Sequence, residues 1–359
     1  MSLSKAEMPP LRIGELRICP PIIQGGMGVR VSRANLAAAV ANEGCAGVIA
    51  TAGAGLFEDH PGTEFTRINE IALQKEIRSA RAMSRGVIGV NIMVALTDYD
   101  RLVKTALAEK VDLIISGAGL PFNLPGLAEG TTIKLIPIVS SARTCNIICT
   151  RWKKQYNRLP DAIIIEGMKA GGHLGYSPEQ IAAGDPTLEQ ILADVLAYLN
   201  EKQLDIPVIV AGGIYDGGQM RYFLERGASG VQMATRFVCT HECDAHAAFK
   251  QAYLDASEKD ITLIKSPVGL PGRVIRNAFV ESIQQGLRVP FECRYQCLKT
   301  CDPHTAPYCI ARVLADAAEG KLDQAFAFAG SNACRCNEII SVKELIEKIT
   351  QEYTASKRD

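Results

Sequence analysis

Short apolar runs bounded by glycine or proline recur along the chain, and most are followed by a stretch whose apolar residues return every three or four positions. The first pattern reads as a strand buried on both faces, the second as an amphipathic helix. The strand-like runs fall at 21–24, 47–50, 86–91, 113–116, 133–139, 162–166, 207–211 and 230–233. Helical patterns separate most of them, most clearly at 32–42, 66–84, 99–109, 142–156, 188–199 and 219–227. Eight strands alternating with helices predict an α/β fold of the closed (β/α)8 TIM barrel type rather than an open doubly wound sheet.

Composition narrows the picture. A chain of 359 residues with 47% hydrophobic content can bury a large core, so one barrel over 1–280 with a cysteine-rich helical extension over 281–359, packed on or completing it, is expected. Lys+Arg and Asp+Glu both number 39, which leaves no basic field to hold nucleic acid or an anionic membrane. No apolar stretch is long enough to span a bilayer, and no secretory signal is apparent, so a cytoplasmic protein is expected. The twelve cysteines then read as reduced thiols.

In a barrel, every loop that follows a strand lies on the catalytic face. Gly25-Gly26-Met27-Gly28, Asn91, Gly117-Ala118-Gly119, Ser140, and Glu166 followed by Gly171-Gly172-His173 should therefore converge on one ligand. Gly171 and Gly172 carry no Cβ and let a flat ligand approach the main chain beside the imidazole. Ala211-Gly212-Gly213-Ile214 and Ala234-Thr235-Arg236-Phe237 follow the last two strands, where barrels commonly bind phosphate. Neither is a Walker loop, and no G-x-G-x-x-G follows the first strand, so a monophosphate cofactor fits better than a triphosphate or a Rossmann-held dinucleotide.

Five ordered motifs carry a specific resemblance: Gln24-Gly25-Gly26-Met27, Gly89-Val90-Asn91-Ile92-Met93, Glu166-Gly167-x-x-Ala170-Gly171-Gly172-His173-x-Gly175, Ala211-Gly212-Gly213-Ile214 and Gln232-Met233-Ala234-Thr235-Arg236-Phe237. Over roughly the first 280 residues the chain resembles the nitronate monooxygenase (2-nitropropane dioxygenase-like) flavoenzymes and the related FMN-dependent enoyl-acyl-carrier-protein reductases. The resemblance implies FMN as cofactor. Gly25, Gly26 and Met27 would line the isoalloxazine, and Asn91, Ser140 and Glu166 would reach its polar edge or ribityl chain. Gly171 and Gly172 would approach the ring, while Gly212, Gly213, Ala234 and Thr235 would hold the phosphate. It further implies that His173 handles the proton or the negative charge of a small-molecule substrate, a role open to an imidazole near neutrality. That substrate is a nitronate oxidised with dioxygen, or an enoyl or quinone-type electrophile reduced at the expense of NAD(P)H. A non-catalytic flavin-binding protein is a third class, and a homodimer is compatible with all three.

Other readings stand beside these. Met27 also suits simple packing, Asn91 a loop cap, and Gly212-Gly213 a tight turn. His60, His241, His246 and His304 read as loop or surface groups, although His60 lies in a loop within reach of the barrel mouth. Residues 266–277 read as a loop near the active-site mouth, with Arg273 and Arg276 either on the surface or attracting an anionic substrate. In the tail, Cys293, Cys297 and Cys301 share one face if their segment is helical, and Cys309, Cys334 and Cys336 follow. No C-x2-C pair occurs and the spacing matches no common metal framework, so these thiols are expected to be structural, with no metal.

Overall fold

A computed structural model describes residues 8–56, 58 and 64–356; His60 lies outside them. Eight parallel strands close into a barrel: Ile22–Gln24, Ala46–Ala50, Val87–Met93, Leu113–Gly117, Lys134–Val139, Ile163–Glu166, Val208–Ala211 and Gly230–Met233. Closure is made where the eighth strand pairs with the first in the register Val231↔Ile22, Gln232↔Ile23, Met233↔Gln24. All eight occur where the apolar runs lie. The register brings the strand ends Gln24, Ala50, Asn91, Glu166 and Ala211 to one rim, since Ala50 opposes Asn91 and Ala211 opposes Glu166.

The barrel is a packed core. Ile23, Val48, Leu113, Ile115, Ile136, Ile164 and Ile209 fill it, and an antiparallel hairpin of Leu11–Ile13 and Leu16–Ile18 adds Leu11, Ile13 and Ile18 to the same cluster. With the lower end filled this way, the opposite rim is left for ligands. The hairpin precedes the barrel and was not apparent from the chain's periodicity.

Helices cover the outside and are delimited by local chemistry. Ala142–Tyr156 starts at Ser141, which shares a capping box with Thr144, and stops at Asn157 in the left-handed conformation (φ 50°). The helix after the seventh strand, Gly217–Leu224, is capped by Asp216, whose carboxylate accepts from the Gln219 amide. The chain's last long helix, Val342–Ala355, packs against it. There Glu352 accepts from the Gly217 amide at 2.9 Å and pairs with Arg236 at 2.8 Å, fastening the loop after the eighth strand to the tail.

Two expectations fail here, the first in part. Residues 266–277 are a loop only in part: 266–270 form a hairpin turn, and Pro271–Ile275 is the central strand of a three-stranded antiparallel sheet, flanked by Ile261–Lys265 and by Gly172–His173. The segment through Cys293, Cys297 and Cys301 is not helical, and the helix begins later, at Ile310–Ala318. From 291 to 297 apolar Phe291, Cys293, Tyr295 and Cys297 alternate with Glu292, Arg294 and Gln296, a period of two that spreads the apolar residues over two faces of a helix, and Pro290 precedes them.

Candidate functional site

A cavity of about 310 Å³ opens at the carboxyl ends of the barrel strands. Gly25, Gly26, Met27, Asn91, Glu166, Gly171, Gly172, His173, Gly212, Gly213, Ala234 and Thr235 all line it, so the structure brings together every proposed site residue except Ser140. Ser140 follows the fifth strand but does not reach the cavity; its carbonyl faces the Tyr176 hydroxyl at 3.4 Å. The rim position alone was therefore insufficient.

The floor is held by the strand-one turn. Gln24 is fully buried, accepts from the Val48 amide at 2.9 Å and donates to the Gly25 carbonyl at 2.5 Å, which fixes the glycines that follow. Asn91 keeps its backbone for structure, its carbonyl accepting from the Thr51 amide and hydroxyl, while it lines the cavity beside Gly26. Glu166 ends the sixth strand with its carbonyl bound by the Tyr176 hydroxyl at 2.5 Å. Burial pushes its carboxyl up to about 7, so near neutrality a large share carries a proton and can donate to a ligand.

At one end of the cavity, Gly212 and Gly213 adopt φ of 91° and 98°, values a side chain would strain. Asn332 ties this turn to the tail by donating to the Gly213 carbonyl at 2.7 Å. Two atoms of cavity-lining residues have no hydrogen-bond partner among the described residues: Ser331 Oγ and Gln232 Oε1. A buried polar atom left unpaired costs about 1–3 kcal/mol, so both call for a polar ligand.

At the other end stands His173, with Nε2 at 2.6 Å from Ser266 Oγ and its ring edge-on to Phe328 at 5.0 Å. Burial lowers its pKa to about 4, so the imidazole is neutral at pH 7. Its backbone is a strand, paired as His173↔Gly272 and Gly172↔Arg273. Arg273 is neither on the surface nor in the cavity. It is buried, donates to the Met168 carbonyl at 2.6 Å and to the Ala170 carbonyl, and so fixes the turn that presents His173. Arg276 is exposed and does not line the cavity.

The tail completes the walls. Cys297, Leu298, Leu314, Phe328 and Ser331 line the same cavity. The stretch 327–329 runs beside the Pro271–Ile275 strand through Ile275 N to Ala327 O and Ala329 N to Arg273 O, both 3.0 Å. A Cβ on Gly171 would sit 2.7 Å from the Gly330 amide nitrogen, so glycine is what lets this stretch close over the His173 turn. Sequence reasoning missed Ser266, Phe328, Ser331 and Gln232. A signal existed for two of them: Ala325-Phe326-Ala327-Phe328-Ala329 alternates small and aromatic residues like a strand and ends in the turn-forming Gly330-Ser331-Asn332. His246 instead caps a helix, its Nδ1 accepting from the Ala248 amide.

A family model described as nitronate monooxygenase matches residues 10–352. FabK from Thermotoga maritima shares the fold with a TM-score of 0.74 and 31% identity, covering 94% of this chain and 93% of that one. A probable nitronate monooxygenase of Bacillus subtilis is 26% identical over 92% of this chain and 95% of its own length. A (3aS,4S,5R,7aS)-5-hydroxy-7a-methyl-1-oxo-octahydro-1H-indene-4-carboxyl-CoA dehydrogenase of Rhodococcus jostii is 28% identical over 74% of this chain, and the match spans 65% of that protein. Among the described residues, no helix is long and apolar enough to cross a membrane.

Proposed function

Because the chain belongs to the nitronate monooxygenase family, we propose that it is a cytoplasmic, FMN-dependent oxidoreductase that oxidises alkyl nitronates with dioxygen. The observation that carries this reading is the placement of His173, bonded to Ser266 and facing a glycine-walled cavity. A group whose pKa is about 4 is poorly matched to abstracting a proton from carbon at neutral pH, so the substrate arrives as the preformed anion. With the Ser266 hydroxyl donating to Nε2, the neutral ring keeps its one proton on Nδ1, and His173 offers that N–H to a nitronate oxygen while Phe328 keeps water from the imidazole. Arg273 acts through the Met168 and Ala170 carbonyls as a positioning residue.

The residues suit FMN. Gly25, Gly26, Met27, Gly171 and Gly172 offer an uncluttered wall for the ring, and Asn91, Glu166 and the unpaired Gln232 oxygen face its polar edge. Gly212, Gly213, Ala234, Thr235 and the unpaired Ser331 hydroxyl receive the phosphate. When bound, FMN supplies the electron-accepting chemistry that no side chain can provide.

A second reading, NAD(P)H-dependent reduction of an enoyl thioester or quinone, draws on the 31% identity to FabK over nearly the whole chain and on a relative named for a CoA thioester substrate. Anaerobic rapid mixing of the yellow protein with propyl-2-nitronate, NADH and NADPH in separate syringes divides the readings. Bleaching by the nitronate is expected. Bleaching by a nicotinamide coenzyme alone would replace the proposal with the reductase, and no bleaching would leave a flavin-binding protein. A colourless chain that FMN cannot reconstitute would remove the cofactor assignment.

A further inference from the structure

The tail brings four cysteines together that the sequence spaces as Cys-x3-Cys-x3-Cys-x7-Cys. The irregular stretch carrying the first three docks on the loop after the third barrel strand, through Thr97 N to Cys297 O at 3.2 Å and Lys299 N to Ala95 O at 2.9 Å. Along it, Cys293, Tyr295 and Cys297 are half-buried while 292, 294 and 296 are exposed, and the chain turns at Gln296, whose φ is 42°, between the first two cysteines. Cys309 arrives from the start of the helix Ile310–Ala318, and it packs with Cys297 against one apolar cluster of Val29, Leu56, Ala311 and Ala315.

Every pair among Cys293, Cys297, Cys301 and Cys309 lies within electrostatic reach, and none is joined in a disulfide. Backbone amides already point at the sulfurs: Gln296 N–H donates to Cys293 Sγ at 3.4 Å, and the amides of Ala311 and Arg312 face Cys309. N–H···S bonds of this kind are what tune thiolate-ligated clusters.

We propose that Cys293, Cys297, Cys301 and Cys309 bind a [4Fe–4S] cluster at the wall of the cavity, which Cys297 also lines. Geometry separates this from zinc. A tetrahedral zinc draws its sulfurs to about 3.8 Å from one another, and among the described residues no three His, Cys, Asp or Glu side chains converge to hold a single ion. A cubane core spans a wider gap between thiolates and suits a quartet that is grouped without touching. Binding releases the four thiol protons and leaves four iron–thiolate bonds. The site does not depend on the nitronate reading, since it is read out by iron and sulfide and not by turnover.

The test is iron and acid-labile sulfide analysis of the full chain purified anaerobically, with low-temperature electron paramagnetic resonance after dithionite reduction. About four iron and four sulfide per chain are expected. Cys293→Ser and Cys301→Ser should each lose at least half of both, with flavin content and circular dichroism reporting on the fold, whereas Cys334→Ser, outside the quartet, should keep them. The proposal falls if wild-type protein holds neither iron nor sulfide after anaerobic reconstitution with ferrous iron and sulfide. It falls equally if zinc occupies the thiols, or if folded Cys293→Ser and Cys301→Ser retain a full complement.

Discussion

The end of the cavity at Gly212 and Gly213 takes its shape from backbone angles set at a strand terminus, with the tail fastened to it through Asn332. The end at His173 is assembled across the chain: Ser266 is 93 positions away from His173, and Arg273 is 105 positions from the carbonyl of Met168. Backbone amides and glycine conformations tolerate the loss of one side chain, because the remaining donors stay aimed at the ligand. A single imidazole held by one hydroxyl and one ring has no such redundancy. The first end suits holding a cofactor, the second suits chemistry that must be placed to within a fraction of an ångström.

The contrast is broken most directly at its chemical end. His173→Ala should lower nitronate-dependent turnover by about 10²–10⁴-fold, the share of a positioned proton-handling or charge-stabilising group. FMN content should be unchanged, because the glycine turn and its strand pairing stay in place. Steady-state kinetics beside the flavin-to-protein absorbance ratio check both halves. Turnover within a factor of three of the parent would take His173 out of the mechanism.

A smaller effect is expected at the other end. Ser331→Ala removes one hydroxyl whose oxygen has no partner among the described residues, so it should weaken FMN binding by roughly tenfold, about 1.4 kcal/mol, the lower range for a hydrogen bond to a charged group. Turnover at saturating FMN should hold. Fluorescence titration of the flavin-free chain gives the affinity, and an unchanged Kd would place the phosphate away from Ser331.

What could be read in the chain follows the same division. Strands covered on both faces print themselves as uninterrupted apolar runs, such as Ile163-Ile164-Ile165 and Val208-Ile209-Val210, and the glycines after them mark the rim. The eight strands and eleven of the twelve proposed cofactor-facing positions follow from that local signal. Ser266, Arg273, Phe328 and Ser331 do not, because their roles arise from antiparallel pairing between the 271–275 strand, the His173 turn and the tail, and periodicity carries no information on which distant strands meet. The cysteine quartet was obscured for a similar reason. Its spacing belongs to no common motif, and its grouping depends on a loop docking against the third barrel strand's exit.

The smallest expected effect sharpens the comparison electrostatically, for the same cavity holds two groups whose shifts oppose one another. His173 is lowered by burial from 6.5 to about 4. Between those values the unfolded chain binds more protons than the folded one, so this group makes stability rise with pH and its contribution is complete above about 6.5. Glu166 is raised by burial from 4.5 to about 7. Between those values the folded chain binds more protons, so this group makes stability fall as pH rises, its contribution being full below about 4.5 and gone above 7. From about pH 4.5 to 6.5 the two slopes nearly cancel, each being at most about 1.4 kcal/mol per pH unit. Glu166→Gln keeps the side-chain shape and deletes one arm, so urea unfolding of the flavin-free variant should show stability climbing with pH across that window. His173→Asn deletes the other arm and should leave stability declining toward pH 7. Parallel profiles for the parent and both variants would mean that neither group is buried in its neutral form, and the neutral imidazole on which the nitronate reading leans would go with them.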